Sequence, residues 1–275
     1  MLFRSTAISA TSALGYIDDT FDAEANPGYA SSDSYSGQQS PLWLDFGYTA
    51  AGGVEPQHNE YCANLYAITK LTANNDPRLS QIYAQSANAN EISGLPFGDL
   101  GQEPDGSSPS IYGPGILTSP TQNAWILSSA ESLLLQAEAV NEGLIPGTAQ
   151  TLYNSAVTAS FVKLGVPDAV NAANTYLAAA GAYPLGGSDA AKEQAIIEQK
   201  WVALFGYGPL EMYSEFRRTG YPNDIPTSIT PGATNPPGKN VSRIFYPVVV
   251  YNTNANNVKL EGTIDKFSSK IFWAK

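Results

Sequence analysis

The sequence predicts a mainly α-helical fold with long irregular loops and only minor β structure. In the second half of the chain, apolar residues recur at three- and four-residue intervals over several segments, and glycine ends several of them. The first half contains two stretches, 31–60 and 86–123, that are rich in glycine, proline, serine and aromatic residues and lack a sustained period. With 275 residues and 43% hydrophobic residues, the chain is large enough for a substantial core.

The second half is predicted to form a series of paired helices. The clearest runs from Trp125 to Val140, with Ile126, Leu133 and Leu134 on one apolar face, and it ends before Gly143. Further helices are predicted at 148–164, 168–180, 189–205 and 210–219, and residues 221–275 are predicted to be mostly irregular. The first two helices should form an antiparallel hairpin. We expect the rings of Trp125, Trp201 and Trp273 in the core.

Shorter helices are predicted in the first half. Helical spacing from Tyr61 to Leu71 indicates one helix, the sequence Asn74–Pro77 ends it, and Pro77–Tyr83 begins another. Ala7–Leu14 is weakly helical. We therefore divide one continuous domain into a loop-rich, ligand-facing part over residues 1–124 and a helical-hairpin scaffold with an irregular C-terminal closure over 125–275.

The charge composition excludes several kinds of partner. Charged residues make up 14% of the chain, against about 25% in typical globular proteins. The net charge is −11, and a nucleic-acid binder needs basic clusters that this sequence lacks. Attraction to anionic lipid is disfavoured for the same reason. Neutral polar and aromatic side chains suit an uncharged, hydroxyl-rich ligand.

Signals for catalysis and for cofactors are weak. His58 is the single histidine and Cys62 the single cysteine, so the chain can build neither a multi-histidine metal site nor a disulfide. We predict no metal and no cofactor. Cys62 is expected to be a small buried residue, and His58 to form hydrogen bonds in its loop. Glu131 and Glu138 are expected to pair with basic residues of a neighbouring helix, such as Lys200.

Aromatic residues in the loop-rich part are the more informative signal. A flat ring can stack on the apolar face of a sugar, and neighbouring amides and carboxylates can bond its hydroxyls. The alternative is that these rings attach the loops to the helical body. The predicted ligand-binding residues are Trp43, Phe46, Tyr48, His58 and Tyr112.

Seven short patterns occur in a fixed order along the chain. They are Asn26–Tyr29, Asn75–Leu79, Ser129–Ala139, Ile196–Phe205, Glu215–Pro222, Arg243–Pro247 and Lys270–Trp273. Each is weak by itself, but their order and spacing resemble the C-terminal half of the SusD/RagB-like outer-membrane lipoproteins. The Ile196–Trp201 and Glu215–Pro222 patterns are similar to one branch of that family.

The resemblance implies a tetratricopeptide-like helical scaffold with long loops that acts at the surface of the outer membrane and is not an enzyme. It also implies capture of an oligosaccharide, or of a peptide in some branches, for a SusC-like TonB-dependent transporter. The family's export signal, lipid-bearing cysteine and N-terminal helical half are not found in this sequence. Membrane contact is therefore expected only through a lipid anchor outside it.

Two other functions remain open from the sequence. A glycoside hydrolase on a helical scaffold would release sugar, and this activity would depend on one acidic residue. A helical-repeat scaffold for protein interaction would have no glycan affinity. Separately, we expect Glu215, Arg217 and Arg218 to form ion pairs that fix the last helix to the body.

Overall fold

The computed structural model describes residues 15–32, 38–86, 90–99, 109–230 and 238–271. Within these ranges the fold is mainly helical, as predicted. The strands are β1 (Ala23–Ala25) and β2 (Ala124–Leu127). The helices are α1 (Pro41–Phe46), α2 (Leu65–Ala73), α3 (Leu79–Ile82), α4 (Ser129–Asn141), α5 (Ala149–Lys163), α6 (Ala169–Leu177), α7 (Asp189–Ala203), α8 (Pro209–Thr219), α9 (Val248–Thr253) and α10 (Ala255–Leu260).

The scaffold is built around a hairpin of α4 and α5, with α7 against α4 and α6 against α5. Ala137 and Ala156 are completely buried, and such small side chains let helices approach closely. Phe161 and Val157 fill the core beside them. The helices predicted at 148–164, 168–180, 189–205 and 210–219 are confirmed, with ends that differ by a few residues.

The helix predicted to start at Trp125 begins four residues later. Ser128 is its N-cap, and the Ser128 hydroxyl accepts a hydrogen bond from the Glu131 N–H at 3.0 Å. The preceding residues form β2, which pairs antiparallel with β1 nearly a hundred residues earlier. Ile126, predicted to face the core, is consequently exposed, and Trp125 is only partly buried, with its ring centroid 5.9 Å from that of Tyr207.

The other differences from prediction lie near chain turns. Helix α2 starts after Asn64, whose side chain accepts from the Tyr66 N–H at 2.9 Å, so Tyr61 lies outside the helix. The C-terminal segment is less irregular than predicted, because it contains α9 and α10. Neither helix buries a residue, so the spacing of apolar residues gives little indication of a helix in this segment. Ala7–Leu14 and Trp273 lie outside the described residues.

A buried ion pair joins the first half of the chain to the scaffold. Arg78 is fully buried and bonds Asp76, Ser160 of α5 at 3.1 Å and Gln199 of α7 at 2.8 Å. Its guanidinium carbon also lies 4.9 Å from the ring centroid of Phe161. Through one side chain, α3 is thus attached to two scaffold helices.

A second charged network holds α8 to the body, as expected for Glu215 and Arg218. Arg218 pairs with Glu138 of α4 at 2.6 Å and with Glu215, and Lys200 of α7 pairs with Glu215 at 3.2 Å. Glu138 therefore has the expected basic partner, but this is Arg218 instead of Lys200. Burial raises the pKa of the Glu131 carboxyl, and Lys200 only partly offsets that effect.

Arg217 turns from α8 towards the C-terminal segment, where its Nε donates to the Ser242 carbonyl at 2.6 Å. Across the described ranges, none of the helices combines the length and apolar character that crossing a membrane would require.

Candidate functional site

The structure brings the five predicted ligand-binding residues together as two neighbouring groups of rings, which are connected through α1 and through the contact of His58 with the Phe46 carbonyl. Ring centroids are 6.0 Å apart for Trp43 and Tyr48, 4.7 Å for Tyr48 and His58, and 5.3 Å for Phe46 and Tyr112. Tyr61 joins them, since its ring packs edge-on against Phe46 at 5.3 Å. The aromatic cluster is defined hereafter by Trp43, Phe46, Tyr48, His58, Tyr61 and Tyr112.

Hydrogen bonds fix the Trp43 side of the cluster. The Trp43 Nε1–H donates to the Tyr48 carbonyl at 2.9 Å. His58 Nδ1 lies 2.6 Å from the Phe46 carbonyl oxygen, so Nδ1 carries the proton and donates it. The predicted hydrogen-bonding role of His58 is thereby confirmed. Both bonds are local and hold the turn after α1 in one shape.

The Tyr112 side of the cluster is attached to the core. Tyr112 forms an antiparallel bridge with Tyr83, which is buried. Gly113 donates to the Ile82 carbonyl at 2.7 Å in the same place, and a Cβ on Gly113 would lie 2.6 Å from the Gln81 carbonyl oxygen. Glycine is needed here because two backbone segments touch. Two chain segments that are 29 residues apart at Tyr83 and Tyr112 therefore pack directly against each other beneath the cluster.

Two rings of the cluster are open to solvent. Tyr48 is 42% exposed and Tyr61 is 57% exposed, whereas His58 is only 7% exposed and supports Tyr48 from below. Trp43 and Phe46 lie on α1 and not in an irregular loop, which corrects the sequence-based placement. The helical backbone of α1 therefore fixes the positions from which these two side chains project.

Two ionisable groups in this region, the Tyr112 hydroxyl and the Cys62 thiol, have raised pKa values. Burial, reinforced by Tyr61, raises the pKa of the Tyr112 hydroxyl. Burial also raises the pKa of the Cys62 thiol, so this thiol is a poor nucleophile. Cys62 is partly buried, not fully buried as predicted.

Two cavities lie away from the cluster. One, of about 330 Å³, is bordered by Tyr66, Trp201, Phe205 and Phe216 between α2, α7 and α8. The Tyr66 hydroxyl at its edge donates to Asp224 at 2.5 Å. The other cavity, of about 570 Å³, lies along α4 beside Tyr16. The sequence analysis identified neither cavity, because their walls come from separate elements.

A possible metal-ligand set also lies outside the cluster. Carboxylate oxygens of Glu138, Glu142 and Glu193 approach one another within 4.8 Å. Glu138 is already paired with Arg218, and exposed carboxylates often gather without an ion. These three residues therefore give no evidence for a metal centre.

A family model described as "Starch-binding associating with outer membrane" matches residues 48–247 of this chain. The chain belongs to the SusD-like family. The matched region begins at Tyr48 of the aromatic cluster and includes the whole hairpin scaffold. No curated protein sequence gives a significant match.

Solved structures agree with this SusD-like assignment. An outer membrane protein from Bacteroides vulgatus that is associated with nutrient binding is 27% identical, with a TM-score of 0.68 over 98% of this chain and 61% of its own. A chitin-binding SusD homologue from Flavobacterium johnsoniae is 25% identical, with a TM-score of 0.58 over 74% of this chain and 47% of its own.

A SusD homologue from Bacteroides fragilis is 22% identical, with a TM-score of 0.72 over 99% of this chain and 61% of its own, and it supports the fold alone. The SusD-like chain thus spans about half to three fifths of the length of these related structures.

Proposed function

We propose that this SusD-like chain captures a neutral oligosaccharide at the surface of the outer membrane and does so without catalysis. The observation that carries the proposal is the aromatic cluster, in which the exposed ring of Tyr48 packs on buried His58 and that of Tyr61 packs on partly buried Phe46. Rigid rings lose little conformational entropy on binding, and a sugar presents apolar C–H faces to them.

The electrostatics of the cluster also favour a neutral ligand. Its six members carry no carboxylate and no basic group other than the His58 imidazole, whose Nδ1 is already bonded to a carbonyl. An anionic ligand would have no basic partner among these rings and would lose hydration on binding. Stacking combined with hydrogen bonds to hydroxyls remains as the mode of recognition, and no proton needs to move.

The family description and the chitin-binding relative support a glycan as the ligand, and α-glucan and chitin oligosaccharides are the first compounds to test. Transfer of the captured glycan to a SusC-like TonB-dependent transporter is the further part of this proposal. It rests on the family resemblance.

The test compares exposed rings of equal accessibility. Tyr61 and Phe21 are both 57% exposed, but only Tyr61 belongs to the aromatic cluster. We expect Tyr48→Ala and Tyr61→Ala each to weaken binding of maltoheptaose or chitohexaose about tenfold in calorimetry, since one aromatic contact contributes on the order of 1 kcal/mol beyond the area it buries. Phe21→Ala should bind as the wild type does.

Equal loss in all three variants, or no glycan affinity in the wild type, would contradict the proposal. A peptide ligand would appear as binding of mixed peptides with no response to either oligosaccharide. Release of reducing ends during incubation, abolished by replacing one acidic residue, would identify a hydrolase instead.

A further inference from the structure

Arg243 lies in the C-terminal segment, and its guanidinium has no hydrogen-bond or ion-pair partner among the described residues. The residue is only 9% exposed, and its Nε is fully buried. Its backbone N–H donates to the Lys266 carbonyl at 3.2 Å. Its guanidinium carbon lies 5.1 Å from the ring centroid of Tyr246, which holds the planar group in place.

Other arginines in the described part of the chain show what a buried guanidinium normally has. Arg78 bonds one carboxylate and two neutral side chains, and Arg218 pairs with two carboxylates. Burying a charge is unfavourable unless it is paired and hydrogen-bonded. Arg243 is therefore largely buried, as these two arginines are, but it has no counterion among the described residues.

The chain segment that contains Arg243 carries a net positive charge, which favours binding of an anion there. Residues 238–271 contain five basic and two acidic residues, although the whole chain has a net charge of −11. Arg217 of α8 reaches the adjacent Ser242 carbonyl at 2.6 Å. Of the two acidic residues, Asp265 accepts instead from the backbone N–H groups of Phe267 and Ser268, at 2.7 and 3.0 Å.

We propose that Arg243 is the centre of a binding site for an oxyanion, meaning the carboxylate or sulfate group of an acidic ligand. About 9% of the Arg243 surface is exposed, and an oxyanion would reach the guanidinium from that side. The fork of guanidinium N–H groups matches the spacing of carboxylate and sulfate oxygens. A neutral hydroxyl would satisfy an N–H group but would leave the charge uncompensated.

This site shares no residue with the aromatic cluster. The cluster is proposed to bind a neutral sugar, whereas the Arg243 site binds a negatively charged group. Binding there is tested directly on the ¹⁵N-labelled full chain by NMR. The resonance to follow is the Nε–Hε signal that is absent from the Arg243→Gln spectrum. Sodium glucuronate, sodium sulfate and glucose are titrated separately at constant ionic strength.

We expect a saturable shift of the Arg243 signal with glucuronate, with sulfate or with both, and no shift with glucose. Saturation by sulfate alone assigns the site to sulfate groups, and saturation by glucuronate alone assigns it to carboxylates. Either result supports the oxyanion site. The absence of a saturable shift with both anions would overturn it.

Two variants distinguish specific binding at Arg243 from general attraction of anions to the positively charged C-terminal segment. Calorimetry with the anion that binds should show about a tenfold or greater loss for Arg243→Gln, the amount expected for one charge-assisted hydrogen bond. Lys259→Gln removes one positive charge from exposed α10 and should change affinity less than about twofold at physiological salt.

Equal losses in these two variants would show that only the net charge matters, contrary to the proposal. Arg243→Lys keeps the charge without the planar fork and should bind more weakly than the wild type. It also provides a folded comparison if Arg243→Gln proves unstable. Failure of this site would leave maltoheptaose binding at Tyr48 and Tyr61 unchanged, so the two proposals can fail separately.

Discussion

Arg78 and Asp76 form a two-point ion pair in the interior, with Arg78 Nη2 2.6 Å from Asp76 Oδ2 and Nε 3.0 Å from Oδ1. Neither side chain is more than 1% exposed. Gln199 and Ser160 accept further hydrogen bonds from the same guanidinium. The pair thus connects the segment that carries the aromatic cluster to the helical scaffold, and it leaves few buried N–H groups unsatisfied.

Replacing Arg78 should destabilise the protein strongly. Arg78→Met leaves the Asp76 carboxylate buried without its counterion, and we expect the free energy of unfolding to fall by about 3–5 kcal/mol. Urea denaturation followed by circular dichroism measures it. Lys192→Met is the control, because its partner Asp189 is 84% exposed, and this change should cost less than about 1 kcal/mol. Similar losses in both variants would show that the buried pair is not special.

Glu215 should make stability depend on pH. Burial opposes its ionisation, but Lys200 and Arg218 outweigh burial and hold the pKa of this carboxyl below its ordinary value of 4.5. A carboxyl whose pKa is lowered by folding stabilises the folded state above its unfolded pKa, and this stability is lost as the pH falls through the folded pKa. At neutral pH, Glu215→Gln should cost about 3 kcal/mol.

The difference between wild type and Glu215→Gln should shrink progressively as the pH is lowered below 4.5. Urea unfolding at several pH values from 7 to 3 measures the difference directly. Asp189→Asn, which alters an exposed pair, provides the comparison. A difference that stays constant over the whole pH range would contradict the assigned role of Glu215.

Gly113→Ala should disturb the base of the aromatic cluster. The new Cβ would lie 2.6 Å from the Gln81 carbonyl oxygen and 2.8 Å from the Tyr83 nitrogen, and neither backbone atom can move easily. We expect a loss of about 1–3 kcal/mol in stability and weaker maltoheptaose binding, because Tyr112 must shift. Gly186→Ala has open space around the added carbon and should be neutral in both assays. Wild-type behaviour of Gly113→Ala would refute this account.

Trp43→Phe separates the ring of Trp43 from its hydrogen bond. The variant keeps an aromatic face but loses the Nε1–H bond to the Tyr48 carbonyl, which should cost about 1 kcal/mol of stability. Glycan affinity should fall less than in Trp43→Ala. Trp125→Phe is the matched control, because the Trp125 Nε1 has no hydrogen-bond partner in the part of the chain that the structure describes, and Trp125 lies outside the cluster. An equal effect of Trp125→Phe on calorimetric affinity would argue against this role of Trp43.

Much of the scaffold follows from local sequence. Helices α5 to α8 were predicted because their apolar spacing and the glycines after them act within a few residues, and periodicity reports such short-range preferences well. The position of β2 could not be predicted in this way. Its partner β1 is nearly a hundred residues distant, and a strand of four residues has too few positions to show a period.

The candidate site, like the scaffold, could be predicted from the sequence only in part. The sequence by itself determined that aromatic residues occur in turn-rich segments, and it was sufficient to predict the five residues that the fold brings close together. Only the tertiary structure decided that Tyr61 joins them, that Tyr48 is open while His58 is covered, and that Arg243 is buried without a counterion. Exposure and pairing depend on contacts between distant segments, and such contacts leave no local pattern in the chain.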